Sequence, residues 1–382
     1  MVGQLPSEVG TVVIGAGLAG ASVAAALTRF GIKSGLILER ELVPGTHASG
    51  RNAAMACQVE ADPVLRKLAI EGVKRLRGRT VSGRPVLRES GGLYLTHGSP
   101  DRTAEWCAGL HQHCVLAELL PAADARQRFR FLDGFDFEYA IFCPTDGIVD
   151  IHALLSDLLS EAHRGGFERA TDCACQTVLI EDSVVVGVRT KRGEVRARVV
   201  VDAAGAWAGC LGREASPLPL TRLRRHLFIS GDTEFLPQGA PLVWDLDIGY
   251  YVRPEGAGLL FSACDETECP PELLATDPWA EELLVEKLLK YAPRLANVTL
   301  RRSWACLRTF APDRLPIIGW DPAIDGLFHV SGLGGFGMTA SLAVGDIAAT
   351  VMCGRAVDWI DIAPFSAQRA ILSPHGSAML ER

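Results

Sequence analysis

Thr11-Val12-Val13-Ile14 is an unbroken apolar run, and the chain leaves it through Gly15-Ala16-Gly17-Leu18-Ala19-Gly20. A half-exposed strand would alternate apolar and polar residues. A short continuous run closed by glycines predicts a strand buried on both faces, as in a parallel sheet. An Ala-rich stretch to about Phe30 predicts a helix, with Gly31 placed to stop it. Leu36-Ile37-Leu38 is the next buried strand and ends on Glu39, which completes an opening βαβ unit. From about Cys57 to Cys143 helical and strand-like patches alternate, including a strand over Gly91-Gly92-Leu93-Tyr94-Leu95. Ile151 to His163 reads as a helix. Val178 to Val201 reads as strands around turns at Glu181-Asp182 and Arg192-Gly193, the last emptying into Asp202-Ala203-Ala204-Gly205. Leu242 to Phe261 alternates like strands, and Trp279 to Tyr291 has helical periodicity. Leu327-Phe328-His329-Val330 is a last strand, followed by a glycine loop and a helix to about Met352.

The nucleotide-type elements fall at the start, middle and end of the chain. The expected fold class is therefore α/β, with a Rossmann-like domain built from the discontinuous segments 1–88, 144–218 and 308–382. An α+β substrate domain with an antiparallel sheet is inserted as 89–143 and 219–307. Gly15, Gly17 and Gly20 form G-x-G-x-x-G between a strand and a helix. The first glycine permits the tight turn, the second lets the backbone approach a pyrophosphate, and the third allows close helix–strand packing. The helix N-terminus offers free N–H groups to phosphate. Glu39, 19 residues after Gly20, is placed to accept from ribose hydroxyls. The motif alone does not separate FAD from NAD.

Composition narrows the partners. The 382 residues are 48% hydrophobic with net charge -7, and the densest basic cluster is only Arg222, Arg224 and Arg225, which argues against nucleic acid. Eleven scattered cysteines do not read as a disulfide framework and point to a reducing, cytoplasmic setting. Cys107, His111, His113 and Cys114 fit no zinc spacing, so no metal is expected. The apolar stretches Thr11–Leu27 and Val330–Val351 are interrupted by glycines and, in the second, by Asp346; no integral membrane segment is expected.

Further segments carry a resemblance. His47 to Met55, Val201 to Trp207, Tyr250-Tyr251-Val252-Arg253-Pro254, Trp304 to Asp313 and Gly332 to Thr339 resemble, in order, segments of the D-amino acid oxidase superfamily of FAD-dependent oxidoreductases. Among its members the chain looks most like bacterial D-arginine dehydrogenase-type enzymes. The resemblance implies FAD as cofactor. It also implies that FAD is lined by Ala19, Glu39, Arg40, Ala48, Ser49, Gly50, Arg51, Asn52, Ala53, Ala54, Met55, Thr177, Gly205, Gly334, Gly335, Phe336, Gly337, Met338 and Thr339, beside the three fingerprint glycines. The chemistry of these residues is consistent with that. Ser49, Arg51 and Asn52 offer hydroxyl, cation and amide to a pyrophosphate or flavin edge. A helix start at Gly334–Thr339 would stabilise negative charge on a reduced flavin.

An amino acid substrate needs its carboxylate fixed, and the planar fork of arginine does this bidentately. Arg225 and Arg308 match the carboxylate-binding arginines of the D-arginine dehydrogenase type, and Tyr251 matches a tyrosine on the same carboxylate; Arg224 would take over from Arg225 if the register slipped by one. No catalytic base is evident; His226 and His329 are the candidates for proton handling. The pocket departs from that type. Met55 replaces a histidine, Cys57 a threonine, Glu60 a tyrosine and Thr339 a glutamine, while the acid that recognises a guanidinium aligns with Gly92. Glu60 is the candidate to replace that acid. By the same resemblance, Cys306 matches the cysteine that carries covalent FAD in monomeric sarcosine oxidases. The expected activity is oxidation of an amino acid, of D configuration, to the imino acid by hydride transfer to flavin N5. The alternatives are a sarcosine-type amine oxidase, a 2-hydroxy acid oxidoreductase, and a flavin-binding subunit without turnover. Nothing in the chain specifies the electron acceptor.

Overall fold

The computed structural model of the chain describes residues 4–211, 218–369 and 372. The first apolar run is the strand Glu8–Ile14, paired in parallel on one side with Gly35–Leu38 and on the other with Gly193–Asp202. Phe167–Ala170 extends the sheet beyond Gly35–Leu38, also in parallel. The ten-residue strand Gly193–Asp202 has two partners along one edge. Its first half pairs antiparallel with Val184–Thr190, and its last residues pair in parallel with Leu327–Ser331. Cys175–Glu181 and Ile317–Trp320 complete eight strands.

The helices Leu18–Arg29, Ile151–Arg164 and Ser341–Met352 bury one face of this sheet in a shared core with Val13, Ile37, Val201 and Phe328. Ala21 and Val23 to Ala26 of the first helix are fully buried, so short side chains let its two neighbours approach closely. Charged pairs rim the same bundle: Arg29 meets Glu161 and Asp346, Arg75 meets Asp346, and Arg79 meets Asp157 and Glu161.

The second sheet has nine strands, drawn from residues 92–143 and 221–310. All its pairs are antiparallel except Leu242–Asp245 with Gly92–Thr96. Strand alternation sorts its side chains. Phe228, Val243, Tyr250, Val252 and Phe261 point to an outer core covered by the helix Pro278–Tyr291, whereas Leu227, Tyr251, Leu260 and Cys306 form a separate inner cluster with Ala53. Leu300–Phe310 pairs with Thr221–Ser230 along its whole length, from Thr221↔Phe310 to Ser230↔Leu300. It therefore runs straight through the expected domain edge at 307/308.

A small sheet of Met55–Ala56, Gly147–Val149 and Leu87–Glu89 lies between the two large ones in sequence. The helix Pro63–Arg77 follows the first of these strands, capped by Asp62, whose carboxylate accepts from Val64 N and Leu65 N at 2.8 and 2.9 Å. No helix among the described residues is long and apolar enough to cross a membrane.

Candidate active site

A cavity of about 670 Å³ runs from the glycine turn after the first strand to the inner face of the second sheet. At its first end Gly15 has φ +102°, and a Cβ there would stand 2.5 Å from the Ala203 carbonyl oxygen. Only glycine makes this turn without strain. A Cβ on Gly20 would lie 2.0 Å from the Gly15 carbonyl oxygen, so Gly20 serves the packing of the turn and does not line the cavity. Gly17 caps the helix without a side chain. Ser49 Oγ accepts from Leu18 N at 2.9 Å, which leaves the next N–H groups of the first turn without helical partners. Glu39 is buried; one carboxylate oxygen accepts from Ala16 N and the other from Glu41 N, each at 2.9 Å. Beside it, the Arg40 guanidinium lies 4.3 Å from the Trp207 ring centre, and His47 packs on the same ring at 4.5 Å.

The segment 45–55 forms one long wall. Asn52 stiffens it from within. Its amide nitrogen donates to the Ala48 and Ser49 carbonyls, and its oxygen accepts from Ala54 N, where φ is +58°. Arg51 donates to the Thr46 carbonyl at 2.9 Å and to the Ala305 carbonyl at 3.3 Å. Both side chains line the cavity, but these groups, expected to face a pyrophosphate, are engaged in holding the loop. Trp304 Nε1 donates to the Arg51 carbonyl and Arg253 Nε to the Ala53 carbonyl, which ties the wall to the second sheet. Ala48, Ser49, Ala53, Met55, Gly205 and Gly334 to Thr339 line the cavity.

Three further expectations fail. Gly50 is turned into its own loop, where a Cβ would lie 2.2 Å from the Gly45 carbonyl oxygen. Thr177 lies off the cavity, because the hairpin register shifts between Cys175 and Thr177; Ala174 and Cys175 line it instead. Gly92 is also off the cavity, since a Cβ there would meet the Tyr94 ring at 2.8 Å and the Asp146 carboxylate at 3.0 Å. Asp146 accepts from the Tyr94 hydroxyl and from Gln58, and burial pushes its carboxyl up to about 6.

At the far end Arg225, Tyr251, Arg308, Cys306, Cys57 and Glu60 all line the cavity, with Trp244, Leu246, Cys264 and Glu266. Arg225 is buried and already bonded, to the Asp265 carbonyl at 2.7 Å and Glu266 at 3.1 Å. Arg224, one residue along the strand, points away and pairs with Asp277. Arg308 has no hydrogen bond or ion pair among the described residues, and its guanidinium lies beside Gly335, 3.1 Å from where a Cβ would stand. The buried Tyr251 hydroxyl also has no hydrogen-bond partner. Burial pushes its ionisation upward, against the pull of Arg308 and Arg225, so it stays a donor. Burial likewise raises the Cys306 thiol, with Arg308 and Arg225 opposing.

His226 and His329 do not line the cavity. His226 faces Asp265 through Nδ1 and accepts the Asp277 N–H through Nε2; His329 is buried against Asp321. Trp207, His47, Cys175, Trp244, Cys264 and Glu266 are lining residues that sequence reasoning did not single out.

A turn of glycines, an unpaired helix N-terminus and a buried acid at one end of a long cavity fit a dinucleotide. The family of FAD dependent oxidoreductases (DAO) matches residues 11–351. The chain belongs to that family. FAD is its cofactor.

Sarcosine dehydrogenase of Homo sapiens mitochondria is 24% identical over 375 residues, 92% of this chain and 40% of that protein. The formaldehyde-forming 4-methylaminobutanoate oxidase of Paenarthrobacter nicotinovorans is 26% identical over 366 residues, 92% of this chain and 44% of that protein. The mitochondrial pyruvate dehydrogenase phosphatase regulatory subunit of Mus musculus is 26% identical, covering 91% of this chain and 42% of that protein. The chain thus spans about two fifths of the length of these curated relatives. Among solved structures, L-proline dehydrogenase from P. horikoshii superposes with a TM-score of 0.83 at 20% identity, covering 96% of this chain and 98% of that one. Glycine oxidase from Geobacillus kaustophilus gives 0.80 at 22% identity, with 95% and 99% covered. At such identities the structures establish the fold. Four of these relatives are named for sarcosine, 4-methylaminobutanoate, proline and glycine and one for a phosphatase regulatory subunit; none of the five is named for D-arginine.

Proposed function

We propose that this chain oxidises the carbon–nitrogen bond of a small amine that bears a carboxylate, an amino acid or its N-methyl derivative. The observation that carries this reading is the Arg308 guanidinium, which lines the cavity with no hydrogen bond or ion pair among the described residues, near the Tyr251 hydroxyl, which likewise has no hydrogen-bond partner among them. A guanidinium fork and a phenol donor together suit one carboxylate. Arg225 lines the same end as a further positive charge, with Nε held by the Asp265 carbonyl and Nη2 by Glu266.

The chemistry that bound FAD supplies is acceptance of a hydride from the substrate carbon. On the substrate, the C–H bond breaks, the nitrogen lone pair closes a C=N bond, and water splits the imine into an oxo compound and an amine. Met55, Trp244 and Leu246 supply apolar wall around the clamp. His47, the one histidine on the cavity wall among the described residues, sits at the other end against Trp207. In this scheme the amine reacts as the neutral base, its proton released before the C–H bond breaks.

Two substrate classes satisfy the clamp. The resemblance to D-arginine dehydrogenases favours a D-amino acid, and the similarity to sarcosine dehydrogenase and 4-methylaminobutanoate oxidase favours an N-methylated one. Turnover with an artificial electron acceptor, followed by product analysis, separates them. An α-oxo acid with ammonia marks the first, and formaldehyde or glyoxylate with the matching amine marks the second. Absence of any product from either class, with 2-hydroxy acids as a third set, contradicts the proposal.

A further inference from the structure

Glu60 lines the same end of the cavity as Arg308, Tyr251 and Cys57, and its carboxylate has no hydrogen bond or ion pair among the described residues. The nearest cation is already engaged: Arg66 donates to the Glu60 and Ala61 backbone carbonyls at 2.8 and 2.9 Å. Asp62 is spent on capping the helix that follows. A surface carboxylate would be satisfied by water. This one is half-buried on the cavity wall, and desolvation pushes it up to about 8, with Asp62 adding to the shift and Arg66 and Arg308 opposing it. Cys57, Asp62, Arg66 and Arg308 are the titratable or charged groups that face it. An acid on a cavity wall with no protein partner is better stabilised by a cationic ligand than by the partial solvent it now has.

We infer that Glu60 is the second pole of the substrate pocket, receiving a cationic nitrogen carried on the substrate beyond the carboxylate that Arg308 holds. The inference rests on the carboxylate clamp proposed above. The favoured substrates are then carboxylates with a positively charged far end, ahead of neutral ones of equal length. Docking of the cation draws the proton off Glu60. Preference for the charged ligand therefore grows as pH rises through about 8, while a carboxylate without an amine gains nothing from ionised Glu60.

The test is calorimetric titration of the FAD-loaded protein with ω-amino acids from 3-aminopropanoate to 6-aminohexanoate, each against its unaminated counterpart. The expected result is that at least one aminated ligand binds about tenfold or more tightly than its counterpart, the factor carried by each unit of differential ionisation. In Glu60→Gln that preference falls away while the unaminated ligand binds as before; Glu60→Asp, which keeps the charge, retains part of it. Equal weakening of both ligands by Glu60→Gln, or an undiminished preference, overturns the inference. Arg308→Gln separates the two readings. If unaminated ligands bind it as they bind the wild type, the carboxylate clamp fails, whereas the role of Glu60 is read from the difference within each pair.

Discussion

Replacing Arg308 by Gln should weaken carboxylate binding and leave the fold intact, whereas the same change at Arg225 should chiefly destabilise the fold. Arg308 has no protein partner to abandon among the described residues, so its removal strands no buried group. A charge-assisted hydrogen bond contributes about 1.5–3 kcal/mol. Losing the fork on a carboxylate, with Tyr251 retained, should cost about 3 kcal/mol in binding, or about a hundredfold in Kd. Arg225 is 3% exposed, and it holds the Asp265 carbonyl and one side of Glu266. Its removal leaves a buried acceptor unmet and costs about 2–4 kcal/mol of folding stability. Perturbation of the flavin absorbance by simple carboxylates reads the first quantity, and urea unfolding of the holoprotein reads the second. Arg308→Gln that unfolds as early as Arg225→Gln, or that binds carboxylates like the wild type, refutes the reasoning.

Other consequences are equally concrete. Gly15→Ala places a methyl 2.5 Å from a backbone oxygen at φ +102° and should release FAD on gel filtration, where the wild type stays yellow; a retained cofactor would show that the turn is dispensable. Cys306 lines the cavity, so if it carries the flavin covalently, acid-precipitated protein stays yellow and Cys306→Ala gives a colourless pellet; a colourless wild-type pellet ends that idea. Asp146 is raised from 3.8 to about 6 by burial, so its stabilising effect is complete below about 4 and is lost as pH rises through about 6. The stability of Asp146→Asn relative to wild type should therefore climb by about 3 kcal/mol across that window, and parallel urea titrations that stay flat would contradict the assignment.

Much of the cofactor end was legible because its signals are local. Val12 to Ile14, Leu36 to Leu38 and Val199 to Val201 are continuous apolar runs, the pattern of strands buried on both faces, and the glycine turn sits in the same stretch as the strand it follows. The helix Pro63–Arg77 also has a local signal, the Asp62-Pro63 cap followed by Leu65, Leu68, Ala69, Gly72, Val73 and Leu76 buried at helical spacing, yet it lay within a stretch read only as mixed patches. Thr177 was misplaced by a bulge, and a bulge has no signature in its own residues. The substrate end is written in pairings. Trp244 faces Tyr251 across two strands at 5.8 Å, and Arg225 lies opposite Cys306. Strand alternation then decides between Arg224 and Arg225, a choice the sequence left open. The isolation of Glu60 is visible only once Arg66 is seen bound to main-chain oxygens.

The most direct test of the account is anaerobic mixing of the FAD-loaded protein with D- and L-amino acids, N-methylated amino acids and 2-hydroxy acids, one at a time, while the flavin absorbance is followed. The account predicts rapid bleaching by an amine that carries a carboxylate and strong slowing of that bleaching in Arg308→Gln. Bleaching by 2-hydroxy acids but by no amine, or bleaching that Arg308→Gln leaves unchanged, would contradict it.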